Sequence, residues 1–369
     1  MKILVLSPPM GATGGIQNYT ASLVRALADI FGEKNVRLVA VPAEASPRAD
    51  GSVALSPLTK LRFFSRAIGS AVWWRPQLII CTHVGVAPVG RIIQRITRAP
   101  YWVMLHGIEV WGKLSRAKIA SLFAAQQLIG VSRFTVQAAA ARHGFNAAKA
   151  AVLSPTFSIN ELRGPSTIGA VGDATRPKVL TVARLAASER YKGHDVMLDA
   201  WPAVIREVPG AQYIIVGDGD DRARLETRVK EMGLGDSVLF KGALSGAELQ
   251  SCYDECGVFA LPARTELDSQ PPRGEGFGIV FLEAMAHGKP VVGPNVGAPA
   301  EFIRNGEHGL LVDPVNAEQL SAALIEILRQ PERAQQMGRA GREWVNQQFS
   351  YEMFRERLRG ILRAHSYEK

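Results

Sequence analysis

At 369 residues the chain exceeds what one hydrophobic core organises, so two domains are expected, and its 47% hydrophobic and 21% charged content excludes a mainly disordered polypeptide. Three cysteines exclude a disulfide framework and a four-cysteine zinc site, which suits a reducing compartment. The formal charge of +9 is lopsided: residues 1–170 hold 19 Lys and Arg against 6 Asp and Glu, while the remainder is slightly acidic. A basic half points to an anionic partner such as a lipid headgroup surface, a polyphosphate or nucleic acid; a generally basic proteome is the plainer reading.

In chain order, short apolar strands alternate with amphipathic helices, the pattern of parallel βαβ units. The run Ile3 to Leu6 is too short for a signal-peptide core, and no stretch approaches the ~18–20 apolar residues of a membrane span. A cytoplasmic protein, at most attached to the inner face of the cell membrane, is expected. Strands are expected at Lys2–Ser7, Val36–Val41, Leu78–Thr82, Tyr101–Leu105 and Gln127–Val131, with a helix over Gln17–Ile30. Between the first strand and that helix, Gly11-Ala12-Thr13-Gly14-Gly15 is a tight turn; it has neither the dinucleotide spacing nor the Lys and Ser/Thr of a P-loop.

Leu58–Arg75 combines Lys60, Arg62, Arg66 and Arg75 with Phe63, Phe64, Trp73 and Trp74. A helix of this kind suits an anionic membrane surface. The alternative is that Phe64, Ile68 and Val72 pack on the first sheet. His106-Gly107 follows a strand at its C-terminal end, where open sheets bind ligands, so a structural and a functional role are both open.

The glycine- and proline-rich stretch Arg163–Lys178 reads as a linker. The βα grammar then restarts: strands at Lys178–Val182, Tyr213–Val216, Ser237–Lys241, Gly257–Leu261 and Pro290–Gly293, helices around His194–Val208, Arg222–Met232, Gly246–Glu255 and Ile279–His287. The domains are therefore 1–165, a linker at 166–177, 178–349, and a closing helix within 350–369. The fold class is α/β, two Rossmann-like domains facing across a cleft.

Arg184 stands at a strand end and Lys192 just before a helix start; together they could clamp a diphosphate, one by its fork and one as a point charge. Gly274-Glu275-Gly276-Phe277-Gly278-Ile279 is a glycine-rich turn entering a helix whose free amides attract anions and sugar hydroxyls. Glu275 and Glu283 offer carboxylates to vicinal hydroxyls, and Glu283, among apolar neighbours, needs a buried partner. Asp218-Gly219-Asp220-Asp221 invites a metal reading, but at the start of a helix Asp220 or Asp221 is more simply a cap. Cys252 and Cys256 read as core residues.

The two half-chains, the Gly14-Gly15 turn, His106-Gly107, Arg184, Lys192 and the Glu275/Glu283 motif followed by Ala284-Met285-Ala286 resemble the retaining glycosyltransferases of GT-B fold, within them glycosyltransferase family 4. The resemblance covers nearly the whole chain. It departs at Ser154-Pro155-Thr156-Phe157-Ser158, where the family often has Pro-Asn-Gly-Val-Asp, and at the longer segment Arg264–Arg273.

The resemblance implies transfer of a hexose from GDP-mannose or a UDP-hexose to an acceptor hydroxyl, a lipid-linked saccharide of surface polysaccharide assembly, without a metal or other cofactor. Arg184 and Lys192 would hold the diphosphate, and Glu283 the ribose. Glu275 with the amides of Gly276, Phe277, Gly278 and Ile279 would hold the sugar. His106 would lie beside the reacting face, and Gly15 against the phosphates or acceptor. A nucleotide-sugar epimerase or a phosphorylase of the same fold, and more remotely a nucleic-acid-binding module, are the alternatives.

Overall fold

The computed structural model describes residues 1–11, 14–42, 56–157 and 177–368. The chain divides into two compact units, Met1–Thr156 with Tyr351–Lys369, and Phe157–Ser350. The expected linker at 166–177 falls, except for Pro177, outside the described residues.

The first unit is built from β1 (Ile3–Ser7), α1 (Gly15–Phe31), β2 (Val36–Ala40), α2 (Pro57–Trp74), β3 (Leu78–Cys81), α3 (Ala87–Thr97), β4 (Tyr101–Leu105), α4 (Ile108–Trp111), α5 (Arg116–Ala124), β5 (Gln127–Gly130), α6 (Arg133–His143) and β6 (Ala151–Val152). All strands are parallel, in the order β2-β1-β3-β4-β5-β6. Helices cover both faces of such a sheet, so β1, β3 and β4 are unbroken buried runs rather than alternating ones. Helix starts follow their sequence signals. Ser56, Ser115 and Ser132 each accept a hydrogen bond from the backbone amide three residues on, and Pro57 occupies the first turn of α2.

The inward face of α2 is Phe63, Ala67, Ala71 and Trp74, buried in the core with Leu4, Ile79 and Val103. This corrects part of the expectation of packing through Phe64, Ile68 and Val72: Ile68 does pack, half-buried, against the core, but Phe63, not Phe64, is on the inward stripe, and Val72 is exposed because it lies on the opposite side of the helix.

The second unit comprises β7 (Lys178–Val182), α7 (His194–Glu207), β8 (Gln212–Val216), α8 (Arg222–Glu231), β9 (Val238–Gly242), α9 (Gly246–Glu255), β10 (Val258–Ala260), α10 (Ile279–Ala286), β11 (Val291–Pro294), β12 (Gly309–Val312), α11 (Ala317–Arg329) and α12 (Pro331–Phe349). The parallel order, read from one edge, is β9-β8-β7-β10-β11-β12, the Rossmann arrangement, which reverses direction between β7 and β10. Trp201 and Val204 of α7 and Leu320 and Leu324 of α11 pack with Tyr213, Ile215 and Val258 in its core. Both sheets bear out the α/β, two-domain expectation. Cys81 and Cys256 are buried and Cys252 is half-buried; burial pushes the Cys256 thiol up to about 12, out of reach of thiolate chemistry.

The last helix, α13 (Tyr351–Ala364), belongs with the first unit. Phe354 meets the edge of Tyr19 at 5.6 Å between centroids, and the Tyr351 hydroxyl donates to Asp29 Oδ2 at 2.6 Å. Beyond it, His365 and Tyr367 stack near Trp102, and the Tyr367 hydroxyl donates to Gln126 Oε1 at 2.8 Å.

Candidate active site

Ligands of open parallel sheets bind beyond the strand C-termini where the strand order reverses, here past β7 and β10. Main-chain contacts fix both loops there. After β7, the Leu185 amide donates to Asp218 O at 3.0 Å and Leu185 O accepts from the Asp221 amide at 2.8 Å, which holds the backbone beside Arg184. Further on, the Arg264 amide donates to Tyr191 O at 2.6 Å, tying the β7 and β10 loops together. Gly193, between Lys192 and α7, has φ +86°, and a Cβ there would lie 2.3 Å from Pro262 O. Only glycine satisfies both conditions.

These loops bring together Arg184, Lys192 and Glu275. Lys192 Nζ donates to Glu275 Oε1 at 2.7 Å, both side chains being largely buried. Arg184, whose side chain is 71% exposed, pairs through Nη2 with Glu189 Oε1, and Glu189 Oε2 lies 3.8 Å from Lys192 Nζ. The result is a row of alternating charge: Arg184, Glu189, Lys192, Glu275. Tyr191 packs beside it, with Lys192 Nζ 5.8 Å from its ring; burial, then Glu275 and Glu189, raise its hydroxyl and keep it protonated. The role of Glu189 was not read from the sequence, although its place one turn before Lys192 was the available signal.

The glycine-rich turn lies on the same end of the sheet. Gly274 (φ +147°) and Gly278 (φ +94°) give it its course into α10, and a Cβ on Gly278 would come within 2.9 Å of the Phe281 ring. The first amides of α10, those of Ile279 and Val280, precede its hydrogen-bond ladder, which opens with the Phe281 amide donating to Gly278 O at 3.1 Å. Phe277 contributes only its main chain, because its ring is buried, stacked on Phe302 at 4.8 Å and beside Phe349. Glu283 has the partner its surroundings demand: the Tyr253 hydroxyl donates to Glu283 Oε2 at 2.8 Å. Burial, then the carboxylate, raise the Tyr253 hydroxyl, so it remains the donor.

The Asp218–Asp221 run is neither a metal cluster nor a side-chain cap. Asp221 occupies the N-cap position of α8, yet its carboxylate caps nothing. Instead it accepts from Arg190 Nη2 at 2.6 Å and Arg224 Nη2 at 2.7 Å. Burial alone would raise this carboxyl; the hydrogen bonds from Arg224 and Arg190 outweigh it and hold it at about 2. Asp220 Oδ1 accepts from the Ala187 amide at 2.7 Å, so it too serves the loop that carries Lys192. Among the described residues no group of three or more His, Cys, Asp or Glu is arranged to hold a metal ion.

His106 and Gly15 belong to the first unit. Gly15 is the first residue of α1, exposed, after the extended Gly14. Ala12 and Thr13 lie outside the described residues. The His106 amide donates to Glu109 Oε1 at 2.6 Å, and Nε2 lies 2.7 Å from Thr82 O. A carbonyl only accepts, so Nε2 carries the proton and Nδ1 presents its lone pair. Burial lowers the imidazole below its ordinary value, against Glu109 and the Thr82 bond, so it is neutral at pH 7. Next to it His83, ring centroids 6.4 Å apart, is lowered to about 4, by burial first.

Two parallel six-stranded sheets with their flanking helices are the architecture of the GT-B fold. Residues 171–344 match the family described as "Glycosyl transferases group 1", which bears out the resemblance to GT-B glycosyltransferases. Among relatives, a GDP-mannose-dependent alpha-(1-6)-phosphatidylinositol monomannoside mannosyltransferase of Mycobacterium tuberculosis is 37% identical over 189 residues, 51% of this chain and 48% of that protein. The monoacylated-substrate counterpart of Corynebacterium glutamicum is 36% identical over 195 residues, 52% of this chain and 48% of its own length. The chain thus spans about half the length of the curated relatives it matches. Among solved structures, Anabaena HepE in complex with UDP superposes with a TM-score of 0.76 at 21% identity, covering 99% of this chain and 100% of that one. No helix among the described residues is long and apolar enough to cross a membrane.

Proposed function

We propose that this protein is a retaining hexosyltransferase that moves a sugar, with GDP-mannose the favoured donor over a UDP-hexose, to the hydroxyl of a lipid-linked acceptor. The observation that carries this reading is the row Arg184, Glu189, Lys192, Glu275 at the switch point. It offers cations to a diphosphate and carboxylates to sugar hydroxyls within one cluster. The donor and acceptor classes are supported by the relatives' names, which specify GDP-mannose and phosphatidylinositol monomannoside.

In this reading the bond between the anomeric carbon and the diphosphate oxygen breaks while the acceptor oxygen bonds to the same face of that carbon. The acceptor proton passes to the departing phosphate oxygen. Arg184 and Lys192 stabilise the negative charge growing on the diphosphate, so no metal ion is needed there. Glu275 and the amides of Gly276 to Ile279 hold the sugar, and Glu283 the ribose. In the first unit, neutral His106 offers Nδ1 as a hydrogen-bond acceptor to substrate. Gly15 lets the phosphates or acceptor approach the start of α1. Incubation with GDP-mannose and with UDP-glucose, with and without acceptor, tests this. A glycosylated acceptor of retained anomeric configuration supports it, whereas an altered free sugar or dependence on inorganic phosphate points to an epimerase or a phosphorylase.

The acceptor reading includes a docking surface on anionic lipid. Helices α2, α3 and α5 with their C-caps carry nine Lys and Arg and no carboxylate, and α3 packs against both others. The solvent side of α2 is apolar as well as its core side, with Leu61 62% and Trp73 78% exposed. Exposed Ile96 on α3 and Phe123 on α5 add to it. Cations beside exposed aromatic and aliphatic groups fit a bilayer interface of acidic headgroups.

A further inference from the structure

Glu189 is placed oddly for a site that is to receive phosphates. Its side chain is only 11% exposed, on the turn between β7 and α7. One carboxylate oxygen accepts from Arg184; the other, buried and without a hydrogen-bond partner, faces Lys192 Nζ at 3.8 Å. A carboxylate at this depth is costly unless compensated, and here the compensation comes from the two cations proposed to bind the diphosphate. Carboxylate and phosphate oxygens compete for the same guanidinium and ammonium donors. When the phosphates arrive, Arg184, at the exposed end, can turn from one anion to the other, but Glu189 remains in place behind Lys192. Its charge then opposes that of the diphosphate at short range, in surroundings that salt screens poorly.

We infer that Glu189 is an internal counter-anion: it holds Arg184 and Lys192 while no diphosphate is bound, and it loosens the grip on the nucleoside diphosphate left after transfer. The inference rests on the reading of Arg184 and Lys192 as the diphosphate site, and it assigns to Glu189 the setting of product affinity.

The test is calorimetric titration of the full chain with GDP and with UDP. Glu189→Gln keeps the length of the side chain and an oxygen for Arg184 while removing the charge. It is expected to bind the better of the two nucleotides about tenfold more tightly than the native chain, equivalent to ~1.4 kcal/mol. A merely structural glutamate would give weaker binding when lost, so unchanged or weaker binding by a folded Glu189→Gln chain overturns the inference. Should that variant fail to fold, Glu189→Asp draws the charge back by one methylene and is expected to tighten binding about twofold; unchanged or weaker binding overturns the inference equally. Lys192→Ala separates the two readings. If it leaves nucleotide affinity unaltered, the diphosphate assignment itself fails; if it weakens binding while Glu189→Gln does not tighten it, only the role of Glu189 fails.

Discussion

Lys192 and Glu275, 83 residues apart in sequence, form a 2.7 Å ion pair. The lysine comes from the loop after β7 and the glutamate from the glycine-rich turn before α10, on the two sides of the switch point. The Arg264 amide on Tyr191 O and the close fit of Gly193 on Pro262 hold those two loops together. The pair is thus pre-formed by the backbone, and each partner holds the other in place.

In the proposed reading, replacing either partner by alanine removes a contact made to the reacting groups. Loss of one such preorganised contact costs ~3 kcal/mol, on the order of a hundredfold in rate. Lys192→Ala and Glu275→Ala are each expected to lower turnover at least that far with the fold intact, and, because each leaves a largely buried partner without its counter-charge, to lower the unfolding midpoint as well. Steady-state rates on the preferred donor, with thermal unfolding alongside, check this; near-native rates in either would dismiss the site.

Gly193→Ala is expected to damage both stability and turnover. The new Cβ would meet Pro262 O at 2.3 Å on a backbone with φ +86°, so the loop must shift. A displacement of this kind costs about 1–3 kcal/mol and moves Lys192 away from Glu275. Denaturant unfolding gives the first effect and turnover the second; a variant as stable and as active as the native chain would show that the two loops are not coupled as described.

Acid destabilises the second unit through two buried histidines. His194 and His308 are 4% and 0% exposed, and burial lowers each from 6.5 to about 4. The unfolded chain therefore takes up these protons before the folded one does. Stability falls as pH drops through 6.5 towards 4, by up to about 3 kcal/mol for each histidine. His308→Gln is expected to flatten the decline in unfolding free energy between pH 7 and pH 5; an unchanged slope refutes the assignment of that decline to His308.

Docking on acidic lipid predicts sedimentation with phosphatidylglycerol vesicles that weakens with salt and is absent with phosphatidylcholine alone. Leu61→Ser with Trp73→Ser, both on the solvent side of α2, is expected to reduce vesicle binding about tenfold or more without loss of stability. Equal binding by the double variant would mean that this face of α2 does not meet the bilayer.

Much of this architecture was legible in the chain because parallel strands buried on both faces are short apolar runs bounded by glycine and proline. Tyr101–Leu105 and Lys178–Val182 coincide with the expected strands. Elements whose signal is weaker are not legible in this way: β6 has two residues, and β12 has four, of which Leu310 and Leu311 are only half-buried. The need of Glu283 for a partner was readable from its apolar neighbours, but that the partner is Tyr253 depends on how α9 packs against α10, which local sequence does not encode. Asp221 misled for a related reason. Its position is that of a cap, but Arg190 and Arg224, distant or across a turn, offered stronger hydrogen bonds than a backbone amide. Glu189 stands one turn before Lys192, but that spacing alone does not separate a buried bridge between cations from a surface ion pair.

The union of α13 with the first unit has a consequence for biosynthesis. Tyr19 and Gln126 are translated long before Phe354 and Tyr367, the residues that cover them, and the whole Rossmann unit emerges from the ribosome in between. At ordinary elongation speeds that interval is about 10–70 s. The usual order of co-translational folding is thereby reversed: the segment made first is finished last, with its aromatic seam uncovered while the later unit is already assembling. Nascent-chain chaperones would find their substrate there.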